Sequence, residues 1–72
     1  MITLKAKVIN DCIDTLGRSY KVDEDIIVTN EFAAFRYFSV VVNGEIQGMI
    51  KSADIDVIGL NDAGQAYVGG GI

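Results

Sequence analysis

Arg36 and Lys51 are the two residues whose type and spacing first suggest ligand binding. The turn signal Asn43-Gly44 lies midway between them, so a two-residue hairpin turn there would place both cations directly opposite each other on paired strands. Like charges in that position destabilise a sheet unless a negative group lies between them. A neighbouring acid such as Asp54 would be the ordinary explanation, and a bound anion would be the functional one.

A bound anion would be a nucleotide-like molecule, a nucleic acid or a carboxylate on a partner protein. Lys5 and Lys7 alternate on the first predicted strand and could add two cations to such a site. The chain nevertheless has 10 acidic and 6 basic residues and a net charge of -4. Because affinity for phosphate backbones comes from Lys and Arg, this balance argues against nucleic acid as the main partner.

The chain offers little for catalysis or metal binding. It has no histidine, which excludes Ser-His-Asp and Cys-His catalysis and removes the commonest metal ligand. Cys12 is the single cysteine, and the neighbouring Asp11 and Asp14 discourage formation of its thiolate. The acidic run 23–25 lacks the spacing of a calcium-binding loop. We therefore expect no enzymatic activity, no metal site and no cofactor.

The hairpin centred on Asn43-Gly44 organises the predicted fold, because apolar strand-forming residues fill both of its arms. In the register set by this turn, the predicted pairs are Val41 with Ile46, Ser39 with Gly48, Phe38 with Met49 and Tyr37 with Ile50. One face is expected to be core and carries Tyr37, Val41, Ile46 and Ile50. The other face is expected to be half covered and carries the apolar residues Phe38, Val40, Val42 and Met49.

Alternating or β-branched runs elsewhere bring the predicted total to about five strands, with helix limited to single turns. The strands besides the hairpin are predicted over residues 2–9, 26–29 and 54–58, and residues 19–22 resume the alternation after a loop over residues 12–18. A chain of 72 residues is one domain with a small core. From Gly59 onward the composition shifts to glycine. Residues 1–58 are therefore predicted to form the domain, and residues 59–72 a tail or an added edge strand.

Three stretches of the chain resemble small phage and bacterial proteins of the SH3-like barrel type. They are Ala6 to Val8 at the start, Leu16 to Val22 at the end of the long first loop, and Gly48 to Ile55 before the last strand. The resemblance implies an all-β, SH3-like small barrel with an extra C-terminal edge segment. The positions of the groove that would bind a proline-rich peptide carry Met49, Lys51 and Asp54, so that recognition is not implied.

The leading functional hypothesis is a non-enzymatic protein-interaction module, encoded by a phage or prophage, that binds a host or partner protein. Its binding face would be the half-covered hairpin face, through Phe38, Val40 and Met49. The alternative hypothesis is a binder of nucleotide-like anions or nucleic acid, through Arg36, Lys51, Lys5 and Lys7. No apolar run approaches the roughly 20 residues that span a bilayer, so we expect a cytoplasmic protein, in the host cell if phage-encoded, with no membrane association.

Apolar residues outnumber the positions of a small core. Phe32 and Phe35 are among those left over, as are Tyr67 and Val68 in the tail. Exposed apolar surface of this extent favours self-association, and the tail could pair with an unpaired strand edge of a second copy. We therefore expect a homodimer in addition to a protein partner.

Overall fold

The computed structural model describes residues 1–61 and is an all-β structure, which confirms the predicted fold class at that level. Its strands are β1 (Leu4–Val8), β2 (Cys12–Ile13), β3 (Ser19–Tyr20), β4 (Asp25–Thr29), β5 (Tyr37–Val42), β6 (Glu45–Lys51) and β7 (Ile55–Leu60). A short 3-10 turn, Ser52–Asp54, lies between β6 and β7. Within the described residues no helix is long and apolar enough to cross a membrane.

Five strands form an antiparallel sheet in the order β6-β5-β4-β1-β7. Strands β4, β5 and β6 follow one another in space as in sequence, whereas β7 returns to pair with β1. The long connection between β1 and β4 is not a plain loop, because β2 and β3 pair within it as a short hairpin. In the described part of the chain β6 and β7 are the sheet edges and do not pair with each other, so the sheet is open there.

One hydrophobic cluster forms the core and joins the sheet to the long first connection. Its buried members are Ala6, Val8, Tyr20, Val28, Val40, Ile50 and Ile55. The partly buried residues packed against it are Leu4, Cys12, Ile26, Phe38 and Val42. Alternate residues of β1 and β5 face this cluster, as the two-residue period of a strand requires. Tyr20 enters the core from β3, so the β2–β3 hairpin is packed against the sheet.

The tip of the central hairpin has the predicted geometry. Asn43 and Gly44 have φ angles of +52° and +80°, the left-handed conformation that a tight hairpin turn requires. Val41 pairs with Ile46 as predicted. Local turn chemistry therefore determined this end of the hairpin.

Farther from the tip the predicted register is wrong by one residue. The observed pairs are Ser39 with Met49, Phe38 with Ile50 and Tyr37 with Lys51. The shift is a β-bulge on β6, where Gln47 and Gly48 together stand opposite Val40. Arg36 consequently has no strand pairing with Lys51.

The bulge decides which β5 residues share a face with Met49 and Ile50, because a shift of one residue on β6 moves its side chains to the other face. Val40 is only 3% exposed and faces the core with Phe38, and Ile50 opposite them is fully buried. Met49 pairs with Ser39 and so lies on the opposite face. The prediction that Phe38, Val40 and Met49 share one half-covered face is therefore wrong.

Gly48 allows the long first connection to approach β6 at the bulge. Its φ is +83°, and an added Cβ would lie 2.9 Å from Cγ of Leu16 and 3.2 Å from Oγ1 of Thr15. The Thr15 amide donates to the Met49 carbonyl at 2.9 Å, and the Met49 amide donates to the Thr15 hydroxyl at 2.8 Å. The bulge is thus the place where the long connection is hydrogen-bonded to β6.

The last described strand runs past the domain boundary predicted at residue 58. β7 continues to Leu60, and the Asn61 amide then donates to the Thr3 carbonyl at 2.9 Å. The Asn61 side chain adds a hydrogen bond from Nδ2 to Oγ1 of Thr3 at 3.2 Å. The predicted edge strand and glycine-rich end of the tail lie outside the described residues.

Gly48→Ala should lower the free energy of unfolding by about 1–2 kcal/mol, because alanine is strained at positive φ and its Cβ would displace Leu16 and Thr15. Gly59→Ala is the matched control, since Gly59 lies in β7 with nothing within 4 Å of an added Cβ. The free energy of unfolding of Gly59→Ala should not be lower than that of the wild type. Urea unfolding followed by circular dichroism measures both variants, and equal stabilities would contradict the role given to the bulge.

Candidate functional site

Two neighbouring cavities share Lys51 in their walls, and we refer to the two together as the groove. The hairpin cavity, of about 520 Å³, is lined by Asp11, Cys12, Ile13, Ser19, Tyr20, Lys21, Lys51 and Asp54. The loop cavity, of about 350 Å³, is lined by Phe35, Arg36, Tyr37, Lys51, Ser52 and Ala53. The groove therefore runs from the β2–β3 hairpin past the 3-10 turn to residues 30–36, the aromatic loop between β4 and β5.

The carboxylate of Asp14 holds the hairpin side of the groove in place. Its side chain has no exposed surface. Oδ1 accepts the backbone amides of Leu16 and Arg18 at 2.9 and 3.0 Å. Oδ2 accepts Nε of Arg18 at 2.8 Å and the hydroxyl of Tyr20 at 2.6 Å. These four donors offset the cost of burying the charge.

Arg18 connects this buried carboxylate to the bulge. While Nε binds Asp14, Nη1 donates to Oε1 of Gln47 at 3.4 Å and Nη2 donates to the Gln47 carbonyl. Thr15 binds the next part of the same bulge through Met49. The hairpin is thus held against β6 at two points, which fixes the cavity wall that contains Tyr20.

The hydrogen bonds around Asp14 shift two pKa values in opposite directions. Burial alone would raise the pKa of Asp14, but hydrogen bonds from Tyr20, Arg18 and Leu16 together lower it below its ordinary value. Burial and the hydrogen bond to Asp14 raise the pKa of Tyr20 to about 12. Asp14 is therefore ionised and Tyr20 protonated at neutral pH.

Cys12 lines the hairpin cavity as a protonated thiol. Burial raises its pKa, and the negative charges of Asp54, Asp11 and Asp14 raise it further. The effect of the neighbouring carboxylates is in the direction that the sequence predicts. Because the thiolate is the nucleophilic form, this environment makes Cys12 a poor nucleophile.

The aromatic loop is anchored at both of its ends. At its start the Glu31 amide donates to the Thr29 hydroxyl at 3.3 Å, and the Glu31 carbonyl accepts the Ser39 hydroxyl at 2.8 Å. Thr29 and Ser39 are both fully buried, so these partners are fixed in the sheet. At its end the Arg36 carbonyl accepts the amide and hydroxyl of Ser52 at 2.9 and 3.0 Å.

This anchored loop presents two phenylalanine rings to solvent. Phe32 is 88% exposed and Phe35 is 85% exposed. Phe32 and Arg36 have φ angles of +59° and +65°, a backbone region that bulky residues rarely adopt. The Arg36 guanidinium lies 5.2 Å from the centroid of the Phe35 ring, within the range of a cation–π interaction. Exposed rings on a strained backbone are typical of a binding surface.

The structure brings together two of the four cations predicted as an anion site. Arg36 and Lys51 line the loop cavity together, although they lack the direct strand pairing predicted for them. Lys5 lines a separate cavity of about 270 Å³. Lys7 lies elsewhere too, with Nζ 3.1 Å from the carboxylate of Asp25. The four cations therefore do not form one site.

The acidic run 23–25 is accounted for by contacts within its own turn and with β1. The Lys21 amide donates to Oε1 of Glu24 at 3.0 Å, while Asp25 pairs with Lys7. Among residues 1–61 no group of three or more cysteine or acidic side chains is arranged to hold a metal ion.

Sequence reasoning missed Asp14, Phe35 and Tyr37 as residues of the site. The adjacency of Phe35 and Arg36 was an available signal, because an aromatic ring next to a cation is typical of binding surfaces. Asp14 was readable as a turn residue only. Its burial depends on the approach of Tyr20, which no local pattern indicates.

No protein-family model, curated protein or solved structure matches this chain. Function therefore has to be inferred from the chemistry of the groove. The groove combines the exposed Phe35 ring and two cations at one end with a wall of mixed charge at the other. These groups are suited to binding another molecule.

Asp14→Asn should lower the free energy of unfolding at neutral pH by about 2–3 kcal/mol, because it leaves buried donors without a charged acceptor. Asp14→Asn should also lose less stability than the wild type does when the pH is lowered. Since folding lowers the pKa of Asp14, the wild type has this stabilisation above about pH 4 and loses it as the pH falls through the folded value. Urea unfolding at neutral and acidic pH measures both effects.

Asp56→Asn is the control for this experiment. It removes the same charge, and Asp56 is exposed on β7. It should leave both the stability and its acid dependence close to those of the wild type. Tyr20→Phe removes one donor only and should cost about 1 kcal/mol. If Asp14→Asn kept the full acid dependence of the wild type, the carboxylate would not be the anchor described.

Proposed function

We propose that this chain is a non-enzymatic protein-interaction module built on an SH3-like small barrel. Three features support the barrel: β7 returns to pair with β1, a hairpin lies in the long first connection, and a 3-10 turn separates β6 from β7. The hairpin is also hydrogen-bonded to the β6 edge of the open sheet. The same long connection and final turn underlie the sequence resemblance to this family.

The observation that carries the binding function is the exposure of Phe32 and Phe35 on an anchored loop. Burying a phenylalanine side chain contributes about 1.5–3 kcal/mol of free energy relative to leaving it exposed to water. A partner that covers the rings recovers this free energy. Because hydrogen bonds to Ser39 and Ser52 already fix the loop, its ordering costs little on binding.

The proposed binding surface differs from the face predicted from the hairpin pattern. Phe38 and Val40 face the core, so the contact moves to the groove and is centred on Phe35, Arg36 and Lys51. An extended segment of a partner would lie along the groove from the aromatic loop to the hairpin cavity.

A second candidate function is the binding of a small, nucleotide-like anion in the loop cavity. The observation in its favour is that Arg36, Lys51 and the Phe35 ring line one cavity, where cations could bind phosphate and a ring could stack on a base. The net charge of -4 and the separate positions of the other two predicted cations favour a protein partner over nucleic acid. Phage or prophage origin, cytoplasmic location and homodimer formation stay predictions.

Phe35→Ala should abolish capture of the partner without loss of stability, because its ring is 85% exposed and contributes little to the core. Tagged wild type and variant are incubated with lysate of the native cell, and the captured proteins are compared by mass spectrometry. Ile58→Ala is the matched control, since Ile58 is 56% exposed on β7, outside the groove. It should capture the same proteins as the wild type. Equal capture by Phe35→Ala would place the binding surface elsewhere.

A further inference from the structure

The loop cavity is a positive site on an acidic protein. Arg36 and Lys51 line it, and its described lining contains no aspartate or glutamate. Within residues 1–61 all ion pairs involve other cations, so neither of these two is neutralised there. The guanidinium of Arg36 rests on the Phe35 ring, which leaves the N–H groups at its edge available to a carboxylate.

The opposite end of the groove carries charges of both signs. Asp11 and Asp54 line the hairpin cavity together with Lys21 and Lys51. Oδ1 of Asp11 accepts the Val22 amide at 2.9 Å, and Oδ1 of Asp54 accepts Nδ2 of Asn10 at 3.3 Å. Because Lys51 stands between the two cavities, the groove changes from positive at the aromatic loop to mixed at the hairpin.

We propose that the partner bound in this groove is an extended protein segment in which an acidic residue adjoins an apolar one. The inference rests on the proposed function and names its partner class. The apolar side chain packs on the Phe35 ring, while the carboxylate accepts hydrogen bonds from Arg36 and Lys51. The part of the segment that crosses the hairpin cavity needs no second acidic residue, because Asp11 and Asp54 balance Lys21 and Lys51 there.

A nucleic acid fits the same groove less well. It carries a phosphate at every nucleotide, so a strand that crosses the groove would bring phosphates near Asp11 and Asp54 as well as near Lys21 and Lys51. The net charge of -4 repels such a strand. A peptide can confine its negative charge to the one residue that meets Arg36 and Lys51.

A displayed library of random short peptides, selected with the immobilised full chain, tests this proposal. We expect the enriched peptides to combine Asp or Glu with a neighbouring aromatic or aliphatic residue. Fluorescence anisotropy of an enriched peptide should show at least about tenfold weaker binding to Arg36→Glu and to Lys51→Glu. Lys5→Glu makes the same charge change outside the groove and should bind within about twofold of the wild type. Thermal unfolding of each variant confirms that folded chains are compared.

The possible results separate this proposal from the proposed function. Enriched peptides without acidic residues, or unchanged binding to Arg36→Glu, would overturn the proposal of an acidic partner. The proposed function would still stand if Phe35→Ala abolished binding of these peptides. Failure to enrich any peptide would also overturn it, and lysate capture insensitive to Phe35→Ala would then remove the proposed function too. An oligothymidylate that bound more tightly than the enriched peptide would assign the groove to single-stranded nucleic acid.

Discussion

The buried carboxylate of Asp14 is the interaction on which the shape of the groove depends. A carboxylate inside a protein without partners costs several kcal/mol, so this one is stable only with its donors in place. Two donors are amides of its own loop, and two are side-chain groups of Arg18 and Tyr20. The long connection therefore cannot rearrange without leaving a buried charge unsatisfied. One consequence is a fixed wall for the hairpin cavity.

The bulge at Gln47 and Gly48 is the part of the sheet beside which the long first connection is attached. The Gln47 carbonyl accepts a hydrogen bond from Arg18, and the backbone of Met49 just after the bulge exchanges two hydrogen bonds with Thr15. These contacts cover one of the two sheet edges. Met49, just after the bulge, also accepts the amide of Ala34 on its sulfur at 3.3 Å. A single stretch of β6 thus contacts both the long connection and the aromatic loop, and so holds the two ends of the groove relative to each other.

Several features of this protein were determined by the sequence alone. The all-β class and the tip of the hairpin follow from alternation and from the Asn43-Gly44 pair, which act over a few neighbouring residues. Burial is the largest cause of the raised pKa of Cys12, and the upward contribution of Asp11 and Asp14 follows from their places beside it in the sequence. The proximity of Arg36 and Lys51 was also predictable in part. The two cations share a cavity, although a direct strand pairing was the wrong reason for it.

The tertiary structure alone decided the register and the position of the site. An isolated glycine within a strand, such as Gly48, signals a bulge, but the bulge is held by Thr15, which lies 34 residues from Met49 in the sequence. That shift places Ile50 beside Phe38 and Val40 in the core and Met49 on the other face, and so separates the three residues predicted to share one surface. Burial of Asp14 likewise depends on donors that meet only when the chain is folded. Contacts between distant residues cannot be read from local patterns, because their free energy exists only once the chain has brought the groups together.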